Sequence, residues 1–182
     1  MLNLFFQHRY YILLLSLFFL NISLAKAGTQ IMSIADSAVV CSVQKGDTAL
    51  PDFTAADCWT TAVQDINPRN THIWVKLNIS SPQVYDLHNK ALAIYITSKM
   101  AAEFYLNGQY IGSNGVPSDS KQHEVSGNLD SVIWLKQPLF RKGINELIFR
   151  ASAHHDWLKI GNSLQSIDFK PYDNITTNRL IH

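Results

Sequence analysis

The sequence predicts an all-β fold, an antiparallel sandwich of short strands. After the first 27 residues, no window of about eleven residues shows a helical apolar period. Ile73-Trp74-Val75-Lys76-Leu77-Asn78-Ile79 alternates apolar and polar residues with a strict period of two. Turn formers, above all Asn107-Gly108 and Gly143, punctuate the remaining apolar runs. Short strands separated by turns bury their apolar faces by packing sheet on sheet or by closing into a barrel.

The chain has 182 residues, and its start reads as an export signal rather than as part of the fold. His8-Arg9 gives a weakly positive lead, Tyr10–Ile22 is almost unbroken Leu, Ile, Phe and Tyr, and Ala25-Lys26-Ala27 has the small-x-small pattern of a cleavage site. Thirteen residues at ~1.5 Å each span roughly 20 Å, short of the ~30 Å hydrocarbon core. Residues 1–27 are therefore expected to be a signal peptide, residues 28–172 one domain, and residues 173–182 a tail. A domain of about 145 residues is long enough to bury a real core. The formal net charge of +1, with no basic cluster, excludes nucleic acid as an expected partner.

Taken in order, Ala38-Val39-Val40 is the first strand, and Pro51 to Asp57 forms an irregular loop. Cys41 and Cys58, seventeen apart in an exported chain, are expected to staple that loop with a disulfide. In the next strand Ile73, Val75, Leu77 and Ile79 face inward and Trp74, Lys76 and Asn78 outward, which makes Trp74 a candidate exposed platform. Leu92, Ile94 and Ile96 mark one strand, and Ala102, Phe104 and Leu106 another. The Asn107-Gly108 pair then turns the chain, because both residues tolerate the positive φ of a type I′ turn. Gly112 to Gly127 is polar and irregular, a long loop of the kind that carries function. Val132-Ile133-Trp134-Leu135 reads as a strand with Trp134 in the core. Glu146 to Ala151 forms another, and Leu158 with Ile160 and Ile167 with Phe169 complete the pattern before Pro171.

Two segments carry a resemblance. Glu103-Phe104-Tyr105-Leu106-Asn107-Gly108 with Ile111-Gly112, and later Gly143-x-Asn145-x-Leu147, resemble the paired hairpin motifs of the galactose-binding-like jelly roll. That fold serves as a sugar-binding domain in family-two glycoside hydrolases and as a periplasmic sensor domain in bacterial membrane-bound signalling proteins. A longer ordered set is similar to the sensor group, the N-terminal periplasmic domain of certain histidine kinases. It comprises Ser98-Lys99-Met100-Ala101-Ala102, Gly112 to Pro117, Glu124 to Asp130 and Ser152 to Ile160. The likeness runs from about Pro51 to Tyr172. Such relatives continue into transmembrane helices and an output domain, so the expectation here is either a truncated part of such a receptor or a free periplasmic homologue that acts by binding.

The resemblance implies a periplasmic sensory or ligand-binding domain whose ligand is a small molecule or carbohydrate and whose partner is a membrane signalling protein. The alternative is a secreted carbohydrate-binding module. The residues expected to touch a ligand are Asn114 and Glu124 of the long loop, His154 and His155 near the end of the chain, and Trp74. Imidazole both donates and accepts near neutral pH, which suits a polar ligand. Adjacent histidines on a strand point to opposite faces, and only His123, Glu124 and Asp130 offer further ligands, so no metal and no cofactor is expected. Catalysis is not expected either: no serine sits in a Gly-x-Ser-x-Gly elbow, and Glu103, Glu124, Asp130 and Glu146 are scattered.

Overall fold

Period-two strands bury one face each, and in this chain two sets of such faces meet. The computed structural model describes residues 33–44, 46–81, 92–135, 139–141, 143–156 and 161–171. Among them are β1 (Ser33–Ser42), β2 (Cys58–Ala62), β3 (His72–Ser81), β4 (Leu92–Ser98) and β5 (Ala101–Leu106). There follow β6 (Gln109–Asn114), β7 (Asp130–Leu135), β8 (Gly143–Ser152) and β9 (Leu164–Pro171). A six-stranded sheet runs in the order β2-β1-β3-β8-β5-β6, and a three-stranded sheet in the order β7-β4-β9. Every strand pair is antiparallel. The expected all-β sandwich is present, and its two-sheet architecture is compatible with a jelly roll. The signal segment 1–27, the tail 173–182 and the alternation at Leu158 and Ile160 lie outside the described residues.

The core lies between the sheets. Val75, Leu77, Phe104, Leu147 and Phe149 of the large sheet pack in one cluster with Ile94, Ile96, Ile167 and Phe169 of the small one. Phe104 and Phe149 are directly opposed across β5 and β8, with ring centroids 5.4 Å apart. β7 obeys the same alternation, which corrects one expectation. Paired with β4, it turns Ile133 and Leu135 inward and leaves Trp134 outside, 52% exposed.

The two quoted motifs bind each other. Asn107 adopts φ 52° and Gly108 φ 83°, the left-handed pair that a tight hairpin between β5 and β6 requires. Asn107 Nδ2 donates to Leu139 O at 2.7 Å and to Asn145 Oδ1 at 2.8 Å, and Asn107 Oδ1 accepts from Glu146 N at 3.0 Å. Asn145, fully buried, also closes the turn before β8 by accepting from Arg141 N at 2.7 Å and donating to Arg141 O at 3.0 Å. The Asn-Gly hairpin and the Gly-x-Asn-x-Leu segment thus form one polar clasp at this end of the sandwich.

Cys41 and Cys58 form the expected disulfide. β2 had no period to announce it. The disulfide holds it beside β1, with Cys41 opposite Cys58. The loop thus stapled packs on the outer face of the large sheet, where Phe53 joins Cys41, Trp74 and Ile148 in a second apolar cluster. Trp74 faces outward as its parity demands, yet it is only 4% exposed. The exposed-platform expectation is therefore corrected: the period of two gave the face, but the loop covers it.

Candidate functional site

At the end of the sandwich opposite the Asn107 clasp, the long loop between β6 and β7 folds back on itself. Asn114, 3% exposed, grips its far side: Asn114 Nδ2 donates to Asn128 O and Asn114 Oδ1 accepts from Asn128 N, each at 2.8 Å. Val116 and Val125 exchange backbone hydrogen bonds of 2.8 and 3.0 Å farther out. Gly127 must lack a side chain here, because a Cβ would lie 2.6 Å from Asn114 Nδ2 and 2.7 Å from Met100 O.

Glu124 fastens the loop to the end of β8. It is 7% exposed and accepts three hydrogen bonds: from the Ser152 hydroxyl, from His154 N at 3.0 Å and from His155 N at 3.1 Å. Ser152 Oγ in turn accepts from Ser118 N at 2.9 Å. β8 ends at Ser152, so the two histidines lie in a turn and both rings reach the loop. His154 Nε2 donates to Ser118 O at 3.0 Å and His155 Nε2 to Lys121 O at 3.2 Å. A carbonyl only accepts, so both rings carry their proton on Nε2 in these bonds. Among the described residues, no three His, Cys, Asp or Glu side chains gather around a metal position.

Beside this fastening opens a pocket of about 290 Å³. Ser98 and Lys99 line it from the end of β4, Ser126, Gly127 and Leu129 from the loop, and His155 and Asp156 from the turn after β8. A register shift between Thr97 and Ser98 in the β4–β9 pairing re-aims the chain there. Ser98 N then donates to Leu129 O at 2.8 Å and Lys99 N to Ser163 O at 2.7 Å. The Ser98 hydroxyl is buried and, among the described residues, has no hydrogen-bond partner.

Asp156 is the hub of the pocket floor. Its side chain is 1% exposed, and Oδ2 accepts from Arg69 Nε at 2.8 Å and from Ser163 Oγ at 3.1 Å. Oδ1 has no hydrogen-bond partner among the described residues, although Lys99 Nζ stands 3.7 Å away. Burial pushes this carboxyl up, but the hydrogen bonds from Arg69 and Ser163 and the charges of Arg69 and Lys99 outweigh it. Its pKa falls below the ordinary carboxylate value, and the group is ionised at neutral pH.

The structure therefore brings Asn114, Glu124, His154 and His155 to one rim, and puts Trp74 on the outer face of the large sheet beneath the stapled loop. Of the four, His155 lines the pocket. The hydrogen bonds of Asn114, Glu124 and His154 run into the protein, where they hold the loop. Ser98, Lys99 and Asp156 carry little signal of their own in sequence. Asp156 follows the histidine pair, but its burial depends on Arg69, 87 residues earlier, and no local pattern joins the two.

No protein-family model and no curated protein matches the sequence. Among solved structures, the chain is similar to a beta-glucuronidase of Faecalibacterium prausnitzii, at 16% identity and TM-score 0.43, over 71% of this chain and 22% of that one. It is similar to a beta-glucuronidase of an uncultured Clostridium sp., at 14% identity and TM-score 0.44, over 71% and 24%. It is also similar to a beta-glucosidase of Kluyveromyces marxianus in complex with glucose, at 15% identity and TM-score 0.41, over 81% and 17%. The chain spans less than a quarter of the length of each of these proteins, and at such identities the likeness says nothing about ligand or activity.

Proposed function

We propose that this chain is a non-catalytic, exported sensory or ligand-binding domain, of the kind that serves as the input of a membrane-bound two-component signalling protein. The pocket is the observation that supports it: a space of about 290 Å³ bounded by the end of β4, the fastened loop and the turn after β8, with Lys99, Ser126 and His155 in its lining. Ligand sites are concave spaces in which a few polar groups converge beside apolar surface, and Leu129 supplies apolar surface here. The loop is already pinned by Glu124 and Asn114. A ligand would therefore act by adding contacts at Ser126 and Gly127 and shifting the population of loop states, not by ordering a free segment. Export is supported by the disulfide and by the signal-like start of the sequence.

The test is a metabolite library read by hydrogen exchange on the intact chain. Binding at the proposed site slows exchange at Ser98, Lys99 and residues 126–129. A library of several hundred polar metabolites that leaves those amides unmoved refutes the reading.

A second reading, a secreted carbohydrate-binding module, draws on the exposure of Trp134 on the outer face of the small sheet. Retention on a polysaccharide that is abolished by Trp134→Ala supports it, whereas retention that survives the substitution removes its basis.

A further inference from the structure

We infer that a second cleft, between the irregular part of β1 at Asp36 and that of β9 at Gln165, binds a small organic ammonium ion. The ammonium meets the Asp36 carboxylate, and the carbon chain lies along Ala62 and Val63. The cleft is separate from the pocket at Ser98 and its ligand does not rest on the role proposed for that pocket.

Two breaks in register, one in each sheet, converge on this cleft. In the large sheet Ile34 is opposite Ile79 and Ala38 is opposite Leu77, so β1 sets residues 35–37 against Asn78 alone. In the small sheet Thr97 is opposite Ser166 and Ser98 is opposite Leu164, which leaves Gln165 of β9 with no residue across from it. A bulge bends its strand and re-aims a side chain, and bulges are over-represented next to active sites. Here Asp36 and Gln165, from different sheets, line one space of about 430 Å³. A helical turn (Val63–Asp65) adds Val63 and Gln64 to the lining. That turn is anchored at its end. Ile66 is 1% exposed and packs in the core, and Asn162 Nδ2 donates to Gln64 O.

The lining sets the charge of the ligand. Asp36 is exposed and is the one charged side chain in the lining among the described residues. Among those residues it enters no ion pair, so its carboxylate is open to a partner. Asp65, next to Gln64 in the turn, is exposed and adds a second negative charge at this end. Gln64, Gln165 and Ser166 supply amide and hydroxyl oxygens. An ammonium has three N–H donors and no acceptor, so a carboxylate and two such oxygens satisfy it. An anion is repelled, and a neutral alcohol forgoes the charge-assisted bond. Ala62 and Val63 give the cleft an apolar wall, which favours an organic amine over a bare metal ion. The volume falls within the usual range of small-molecule sites.

The experiment is an amide-resolved NMR titration of the intact chain with putrescine, butanediol and succinate, linear four-carbon probes that differ in charge. Putrescine should shift Asp36, Gln64, Gln165 and Ser166. It should bind at least about tenfold more tightly than butanediol, the factor that one charge-assisted hydrogen bond gives. Succinate should leave these amides unmoved. Salt at about 1 M, which screens exposed charges beyond about 3 Å, should remove most of the preference. Asp36→Asn keeps the shape and loses the charge; it should leave the melting temperature unchanged and weaken putrescine at least about tenfold. Butanediol or succinate binding as tightly as putrescine overturns the inference, as does undiminished affinity in Asp36→Asn. Equal shifts beside other exposed carboxylates would show surface attraction only and overturn it too. If putrescine shifts none of the four amides, the inference fails and the reading of the Ser98 pocket is untouched.

Discussion

Acidification should destabilise this fold through one histidine, and the size of the effect follows from where that histidine sits. His72 opens β3, is buried, and has an Nε2 with no hydrogen-bond partner among the described residues. Burial is the main cause that lowers its pKa to about 4, from the ordinary 6.5 of histidine; Arg150 and His154 push the same way, while Asp119 and Glu124 oppose them. A folded-state pKa below the unfolded one means that the unfolded chain binds the proton first. The contribution of neutral His72 is therefore complete above pH 6.5 and is lost as the pH falls from there towards about 4, below which both states are protonated. Linkage over that window gives a loss of about 2 kcal/mol by about pH 5 and about 3 kcal/mol by about pH 4. Urea denaturation of the unmodified chain and of His72→Leu, at a series of pH values, isolates this site because the other titrating groups are common to both proteins. The stability of the variant relative to the unmodified chain should rise by about 2 kcal/mol between about pH 7.5 and about pH 5. A difference that does not change with pH would refute the assignment.

Three further predictions test the fastenings of the fold. Replacing both Cys41 and Cys58 with serine releases a loop of seventeen residues and should cost about 3 kcal/mol on the chain-entropy model. It should also redden tryptophan emission as Phe53 leaves Trp74; unchanged emission would mean that packing alone keeps the loop in place. Glu124→Ala removes the acceptor for Ser152, His154 and His155, and should cost about 3 kcal/mol. Trypsin should then cut after Lys121 at least about tenfold faster, at the same temperature, and an unchanged rate would contradict the role of Glu124 in holding the loop. Asn107→Ala loses the hairpin clasp and a residue that tolerates positive φ, with an expected cost of about 3 kcal/mol, whereas Asn107→Gly loses only the clasp. Chemical denaturation should rank the two with alanine worse, and equal stabilities would show that the backbone angle contributes nothing.

What was legible in the sequence is what local physics determines. Parity along β3 told which residues face the core, and Ile73, Val75, Leu77 and Ile79 are all buried. Asn107-Gly108 announced its turn because only a few residue types accept those angles. The disulfide was legible from compartment and spacing. What was not legible depends on pieces of chain far apart in sequence. Parity placed Trp74 outside correctly, but only tertiary contact with Phe53 decides that the outside is covered. Trp134 failed in the opposite direction, because a four-residue apolar run looks like core until pairing with β4 imposes alternation on it.

The same distinction separates the two kinds of polar residue at the rim. Glu124 and Asn114 are buried polar groups whose bonds are complete within the protein, and such groups hold structure. Ser98 Oγ and Asp156 Oδ1 are equally buried, and among the described residues their bonds are incomplete. Residue type does not distinguish the two sets, since each joins a carboxylate to a small polar side chain. The difference lies in what the register shift at Ser98 and the Arg69 contact leave over. Arg69 and Ser163 occupy one oxygen of Asp156, and the Lys99 ammonium stands 3.7 Å from the other, so the buried carboxylate is held between two cations. A rim held by completed bonds fixes the lining of the pocket in advance, which is what preorganised binding requires. The fastening residues matter to recognition because they keep Ser126 and Gly127 against the pocket floor.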